Sequence, residues 1–173
     1  QFVKSNAPFY PRFSEEILHS SLQHFELSKD IQLNELSMGQ KKKAFICFAL
    51  ATNTSLLLLD EPSNGLDIPS KTQFRKAIAA CMNEEKTIIL STHQINDIDS
   101  LLDHIVIIDD AQLILHESVS NICQKLYFTE QEINDSIEDV IYSQSSIRGK
   151  QCILPNKSGL DSKLNLELLF NAV

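Results

Sequence analysis

The chain has 173 residues, enough for one domain with a sizeable core and an appendage. Its formal net charge of -8 disfavours a nucleic-acid-binding surface, which requires a basic face. No apolar run approaches the ~20 residues of a membrane span, and no basic-then-apolar leader begins the chain, so we expect no span of its own. The cysteines form no CxxC pair, which predicts free thiols in a reducing cytosol rather than a zinc site.

The first 35 residues predict a loop and then a helix. Pro8, Pro11 and their aromatic neighbours indicate the end of a strand followed by a loop over residues 1–13. Ser14 precedes two glutamates, which is typical of a helix start, and apolar residues at helical spacing continue to Phe25. A short polar stretch then leads into the next motif.

That motif is LSMGQ at residues 36–40. Ser37 and Gln40 have the spacing of a capping box, in which each side chain binds a free backbone N–H at a helix start. The predicted helix runs to Leu50, and a capped, half-buried helix would by itself explain the pattern. The same start could also bind an anion, because free amides, the helix dipole, a hydroxyl and Gly39 meet there.

The stretch LLLLDEPSNGLD at residues 56–67 predicts a central strand. Four consecutive leucines indicate burial on both faces. Because a buried strand cannot retain two unpaired carboxylates, Asp60 and Glu61 should lie at its carboxyl end, where open α/β sheets bind ligands. Asp60 is a candidate ligand for a divalent cation, and Glu61 could orient an attacking water. The alternative is a core strand that ends in a solvated acidic turn.

A second strand should bring a histidine to the same edge of the sheet. Pro69 marks the start of a helix that continues to about Asn83, and residues 87–91 predict another buried strand. That strand ends at Ser-Thr-His, so His93 would lie beside the two carboxylates. Such a histidine can donate to a phosphate oxygen, although a lone histidine is more often structural.

The rest of the chain predicts the end of the core and a small additional unit. The core should end with a helix at 94–102, a hairpin over 104–115 and a helix at 118–126. From residue 127 the chain becomes acidic, and we expect strands at 140–142 and 151–154 and a helix capped by Asn165. This α+β unit carries no catalytic signature and is either accessory or a docking and regulatory element. The predicted domains are residues 1–36, 37–126 and 127–173.

Three motifs in this order, LSMGQ, LLLLDEPSNGLD and the STH at 91–93, resemble the ATP-binding subunit of ABC transporters. The first resembles the signature motif, with Met38 where glycine is usual. The second resembles Walker B and the D-loop, and the third the switch histidine. The resemblance covers residues 1 to about 126 and implies an α/β P-loop NTPase fold with an abbreviated helical subdomain. The short insert, the NGLD sequence and the C-terminal unit look most like ATPases of export-type ABC-2 systems.

The resemblance also implies site residues, cofactors and partners. Asp60 would hold Mg²⁺, while Glu61 and His93 would act on the attacking water and the γ-phosphate of ATP. A second ATPase subunit and a separate membrane permease would be the partners, at the cytoplasmic face of the membrane. The residues that would face ATP bound to the second subunit are Ser37, Gly39, Gln40 and Asp67.

The segment Phe9-Tyr10-Pro11 resembles the sequence after the Q-loop. This alignment places Ser5 where the family often has glutamine. A serine reaches less far towards magnesium and water, so coupling through Ser5 departs from the family pattern.

The phosphate-binding pattern G-x-x-x-x-G-K-[ST] is missing, because none of the 4 glycines begins it. By resemblance this Walker A loop would lie upstream of residue 1, so we expect the 173 residues alone to be inactive. One alternative is a soluble ABC-type ATPase of chromosome maintenance or repair, which the short insert and the acidic charge disfavour. Another is a non-catalytic interaction module, in which Glu61 and His93 would have no explanation.

Overall fold

The computed structural model describes residues 1–95, 98–131, 139–147 and 149–173. The described elements are helices and three small sheets, which confirms the predicted α/β class. By its internal contacts the chain divides into two units, residues 1–97 and residues 98–173. The division into three domains at residues 36 and 126 stays a prediction.

Helices dominate the first unit. Residues Phe2–Asn6 form helix α1 instead of the predicted strand end and loop, and that prediction is wrong. The aromatic ring of Phe2 packs edge-on against Phe45 and Phe48, with centroids 5.5 and 5.0 Å apart, and these contacts stabilise the helical turn. The helices are α1 (Phe2–Asn6), α2 (Glu15–His24), α3 (Met38–Ala51) and α4 (Ile68–Cys81), with 3-10 turns at Ala7–Phe9 and Leu33–Glu35.

Helices α2, α3 and α4 pack together and form the core of this unit. Both predicted caps are confirmed: Ser14 Oγ accepts from Ile17 N at 3.2 Å, and α3 begins with a complete capping box. Phe74 of α4 is fully buried. Cys47 of α3 is also fully buried, and this burial raises the pKa of its thiol to about 12.

Two parallel strands, β1 (Leu56–Asp60) and β2 (Thr87–Ser91), complete the first unit. Their register pairs Asp60 with Ser91, so both strands end at one edge. The prediction that these strands are buried on both faces is wrong, since Leu56 and Leu58 are 53% and 66% exposed. Successive side chains of a strand point to opposite faces, and in the described residues one face of this sheet lacks cover.

The second unit begins with the predicted hairpin, which is confirmed as β3 (His104–Asp109) and β4 (Gln112–Ser118). Asp110 and Ala111 form its turn with φ of 43° and 59°, the positive values that suit the twist of a tight hairpin. The preceding helix was predicted over residues 94–102, of which 96–97 lie outside the described residues. Its described end, Asp99–Leu101, is a 3-10 turn rather than an α-helix.

The remaining elements are an antiparallel sheet and two helices. The strands β5 (Leu126–Gln131), β6 (Tyr142–Ser146) and β7 (Gly149–Pro155) form a sheet in the order β5-β7-β6. Strand β5 was not predicted, because the segment after residue 126 is acidic. The two predicted helices are confirmed, and Asn165 Oδ1 caps the last one by accepting from Leu168 N at 2.9 Å. The elements are α5 (Val119–Lys125), β5 (Leu126–Gln131), β6 (Tyr142–Ser146), β7 (Gly149–Pro155) and α6 (Leu166–Ala172).

No helix among the described residues has the length and apolar character needed to cross a bilayer.

The stability of the second unit should depend on pH through the carboxylate of Glu117. Its carboxylate accepts from Asn121 Nδ2 at 2.9 Å, Ser118 N at 3.0 Å and Lys125 Nζ at 3.2 Å, and these bonds lower its pKa to about 2. Because the folded-state pKa lies below the unfolded value, the stabilisation is present above about pH 4.5 and is lost as the pH falls towards 2.

We therefore expect Glu117→Gln to lower the melting temperature at pH 7. The melting temperatures of variant and wild type should become equal as the pH falls towards 2. Thermal unfolding of the full-length protein, followed by circular dichroism at several pH values, measures this. Glu84→Gln removes the same charge from an exposed residue and serves as the control. A constant difference between Glu117→Gln and wild type at every pH would contradict the assignment.

Candidate active site

The carboxyl ends of β1 and β2 place a carboxylate and a hydroxyl side by side. Asp60 ends β1, Ser91 ends β2, and the Ser91 hydroxyl donates to Asp60 Oδ1. Among the described residues, Asp60 Oδ2 has no hydrogen-bond partner, and the side chain is exposed. One carboxylate oxygen thus remains available at this edge of the sheet.

Glu61 adds one backbone hydrogen bond to the pairing of β1 with β2, and the chain turns at this residue. Its N–H donates to Ser91 O at 2.9 Å, and its φ of 44° is unusual for a residue with a side chain. The carboxylate accepts from His93 N at 3.0 Å, from His93 Nδ1 at 2.6 Å and from Thr92 Oγ1 at 3.2 Å. The structure therefore brings Glu61 and His93 into direct contact.

These hydrogen bonds determine the charge of the Glu61 carboxylate and how many further hydrogen bonds it can accept. The hydrogen bond from the His93 side chain is the main cause that lowers the Glu61 pKa. An ionised carboxylate offers about four acceptor positions, so one position remains for a water molecule. A carboxylate with a lowered pKa is a weak proton acceptor, which favours a role in orienting water over a role as a strong base.

The contact with Glu61 also fixes how His93 can act. An ionised carboxylate only accepts, so Nδ1 of His93 must carry the proton of their hydrogen bond. In the neutral ring Nε2 is then an acceptor. Donation from Nε2 to an anion requires the doubly protonated imidazolium.

The start of α3 is an open helix terminus. Gln40 N donates to Ser37 Oγ at 3.3 Å, and Ser37 N donates to Gln40 Oε1 at 3.0 Å. The capping box leaves the amides of Met38 and Gly39 without an intrahelical acceptor. Met38 is 79% exposed, and apart from the adjoining residues and the backbone of the same helix no atom lies within 4 Å of where a Cβ on Gly39 would be. Nothing in the described chain therefore covers this terminus.

A cavity of about 600 Å³ separates the first half of α3 from the turn that follows β1. Gly39 and Asp60 both line it, so the signature-like helix and the acidic turn share this space. Lys42 spans the two walls, since its Nζ donates to the carbonyl oxygens of Glu61 and Asn64, each at 2.7 Å.

Sequence reasoning missed three residues of this site: Lys42, Ser91 and Thr92. The last two directly precede His93, and their hydroxyls could have been recognised as partners for adjacent carboxylates. No sequence signal pointed to Lys42, because its partners are backbone carbonyls 19 and 22 residues away.

Two predicted residues lie apart from this cluster. Asp67 caps α4 by accepting from Ser70 N at 2.9 Å, and hydrogen bonds from the Ser70 side chain and then from its backbone lower the pKa of Asp67. Ser5 lies in α1, and no contact in the described residues joins it to Asp60, Glu61 or His93. The roles predicted for Asp67 at a subunit interface and for Ser5 at a Q-loop position stay predictions.

Comparison with known proteins identifies the family. Residues 2–99 match the family described as "AAA domain, putative AbiEii toxin, Type IV TA system", which covers more than half of the chain. The chain belongs to this AAA domain family. The curated relatives below are transporter ATP-binding proteins, and the chain is similar to them.

Two curated relatives illustrate the similarity. The energy-coupling factor transporter ATP-binding protein EcfA2 of Staphylococcus saprophyticus is 34% identical over 140 residues, which is 79% of this chain and 48% of the relative. An uncharacterized ABC transporter ATP-binding protein of Methanocaldococcus jannaschii is 33% identical over 99 residues, which is 57% of this chain and 38% of the relative. The chain thus matches less than half the length of these relatives.

A solved structure shows the same fold. The ATP-binding subunit of an ABC transporter superposes with a TM-score of 0.56 and 23% identity, covering 67% of this chain and 51% of that one. The predicted resemblance to ABC ATP-binding subunits and the predicted P-loop NTPase fold are confirmed.

Proposed function

We propose that the intact protein is the ATP-hydrolysing subunit of an ABC transporter. The contact between Glu61 and His93 at the carboxyl end of β1 carries the proposal. It places an ionised carboxylate with one open acceptor position beside an imidazole, directly after Asp60. The names of the curated relatives, which are transporter ATP-binding proteins, support the same activity.

The donors at this edge suit magnesium. Mg²⁺ in phosphate-transfer sites usually takes one or two carboxylates and completes its shell with water and substrate phosphates. Asp60 offers one free carboxylate oxygen and is oriented by Ser91. No cluster of three or more acidic, histidine or cysteine side chains in the described residues could form a complete metal cage. Asp60 would therefore hold Mg²⁺, which neutralises phosphate charge when bound.

Glu61 and His93 would act on the attacking water and the transferred phosphate. The remaining acceptor position of Glu61 orients a water molecule, since positioning and charge stabilisation dominate phosphoryl transfer. His93 donates to a γ-phosphate oxygen through Nε2 when its ring is doubly protonated. The Glu61 carboxylate lies 2.6 Å from Nδ1 of the same ring.

The open terminus of α3 would contact ATP bound to a second subunit. Ser37 keeps its hydroxyl proton while it caps the helix, so it can donate to a phosphate oxygen. The free amides of Met38 and Gly39 and the positive end of the helix dipole attract the same anion. Gln40 fixes this geometry through the capping box, and Asp67 would lie at the same interface.

The proposed partners are a second ATPase subunit and a separate membrane permease, and the proposed location is the cytoplasmic face of the membrane. Closure of the two subunits around ATP would drive the permease, and hydrolysis would release them. The export-type ABC-2 assignment rests on the short insert and the NGLD sequence. The matched relatives include both a Nod factor export protein and a manganese transport protein.

Magnesium-dependent hydrolysis by the full-length protein tests this proposal. We expect wild-type protein to release phosphate from ATP, and we expect this release to stop when EDTA is added. Asp60→Asn should require at least about 10-fold more Mg²⁺ for half-maximal rate, since loss of groups that orient a metal costs roughly that factor. Hydrolysis that is insensitive to EDTA, or an Asp60→Asn variant with an unchanged Mg²⁺ requirement, would contradict the metal assignment.

A further inference from the structure

Lys42 lies in α3, and its ammonium group bonds to the turn that carries Glu61. We infer that Lys42 is a positioning residue for catalysis: it holds the backbone of the Glu61 turn and thereby keeps the Glu61 carboxylate against His93. This inference rests on the proposed function, because it assigns Lys42 a part in the hydrolysis for which Glu61 is responsible.

The hydrogen bonds of Lys42 are short and close a small network. Nζ donates to Glu61 O and to Asn64 O, each at 2.7 Å. Glu61 O also accepts from Asn64 N at 3.2 Å, so one carbonyl joins the lysine and the turn. Bonds from a charged donor are stronger than bonds between neutral groups, and two of the three ammonium protons are used here.

Glu61 needs such support because of its backbone conformation. A φ of 44° is unfavourable for a side-chain-bearing residue and persists only where surrounding contacts hold it. The backbone angles of Glu61 set the direction of its Cβ and hence the position of the carboxylate. Release of its carbonyl would let the turn relax and would loosen the 2.6 Å contact with His93 Nδ1.

Lys42 is the member of its lysine run that makes this connection. Lys43 donates instead to Gln73 Oε1 of α4 at 3.2 Å. Lys41 has no side-chain hydrogen bond to a described residue. Lys42 thus links the helix that begins at Ser37 to the turn that carries Glu61.

Steady-state kinetics of the full-length protein test the inference. We expect Lys42→Met to lower kcat by about 10-fold and to leave the KM for ATP within about twofold, since misplacing a catalytic group affects the chemical step. Lys42→Arg should keep at least half of the wild-type kcat because it retains charge and donors. Lys76→Met removes an exposed helical lysine and should behave as wild type.

Hydrogen exchange at the Asn64 amide provides a second measurement that needs neither ATP nor activity. This amide donates to Glu61 O, so Lys42→Met should accelerate its exchange by at least about 10-fold, whereas Lys76→Met should not. Unchanged Asn64 exchange, or an unchanged kcat in Lys42→Met, would overturn the inference. If Lys42→Met does not fold, Lys42→Gln is measured in the same two assays with the same expected results.

The two proposals can fail separately. Full activity in Glu61→Gln would reject the proposed role of Glu61, and faster Asn64 exchange in Lys42→Met would still establish that Lys42 holds the turn. Loss of activity in Glu61→Gln together with normal kcat in Lys42→Met would leave the proposed function intact and reject the role of Lys42.

Discussion

Glu61→Gln in the full-length protein is expected to retain ATP binding and to lose at least about 100-fold in turnover, within the range that positioned acid–base groups contribute. Glutamine has the size of glutamate, and its single amide oxygen can still accept from His93 N. It lacks the negative charge that orients water. Phosphate release at saturating ATP and equilibrium binding of a fluorescent ATP analogue measure the two effects.

Glu84→Gln is the matched control, since it removes the same charge from an exposed residue of the same unit. It should bind and hydrolyse ATP as wild type does. A Glu61→Gln variant that hydrolyses ATP at the wild-type rate would remove Glu61 from its proposed role. A variant that no longer binds ATP would show that Glu61 contributes to binding rather than to turnover.

Ser37→Arg is expected to weaken ATP-driven dimerisation by about 100-fold or more, the effect of disrupting a central interface contact. The long cationic side chain would occupy the open terminus of α3 and cannot accept from Gln40 N. ATP binding to the single subunit should change little, because the terminus is proposed to face the nucleotide of the other subunit. Analytical ultracentrifugation with ATP, in the Glu61→Gln background that preserves the nucleotide, measures the dimer.

Loss of a helix cap alone costs about 1 kcal/mol, so the control must remove a cap elsewhere. Ser14→Arg makes the same substitution at the start of α2, where Ser14 Oγ accepts from Ile17 N. It should dimerise with wild-type affinity at a slightly lower melting temperature. Equal dimerisation of Ser37→Arg and Ser14→Arg would reject the composite site.

The local parts of this site could be predicted from the sequence. The capping box that starts α3 involves residues three positions apart, and its geometry follows from Ser37 and Gln40 alone. The meeting of Glu61 and His93 was also foreseeable, because parallel strands bring their carboxyl ends to one edge. The register that pairs Asp60 with Ser91 is what makes that expectation hold.

The features that depend on distant packing could not be predicted. Burial of Leu56 and Leu58 depends on which elements cover the sheet, and no local pattern records that. Helix α1 was missed because Pro8 and Pro11 suggested a loop, whereas the helix is held by Phe2 packing on the rings of α3. The bonds of Lys42 to backbone carbonyls have no sequence signature at all.

The buried thiols have a practical consequence for all of these experiments. The thiolate is the form of cysteine that reacts with alkylating agents and peroxides. Burial raises the pKa of Cys47 to about 12 and also raises that of Cys81, so both remain protonated at neutral pH. Maleimide dyes applied to the folded protein should leave these two side chains unlabelled, and fluorophores can be attached elsewhere without first removing them.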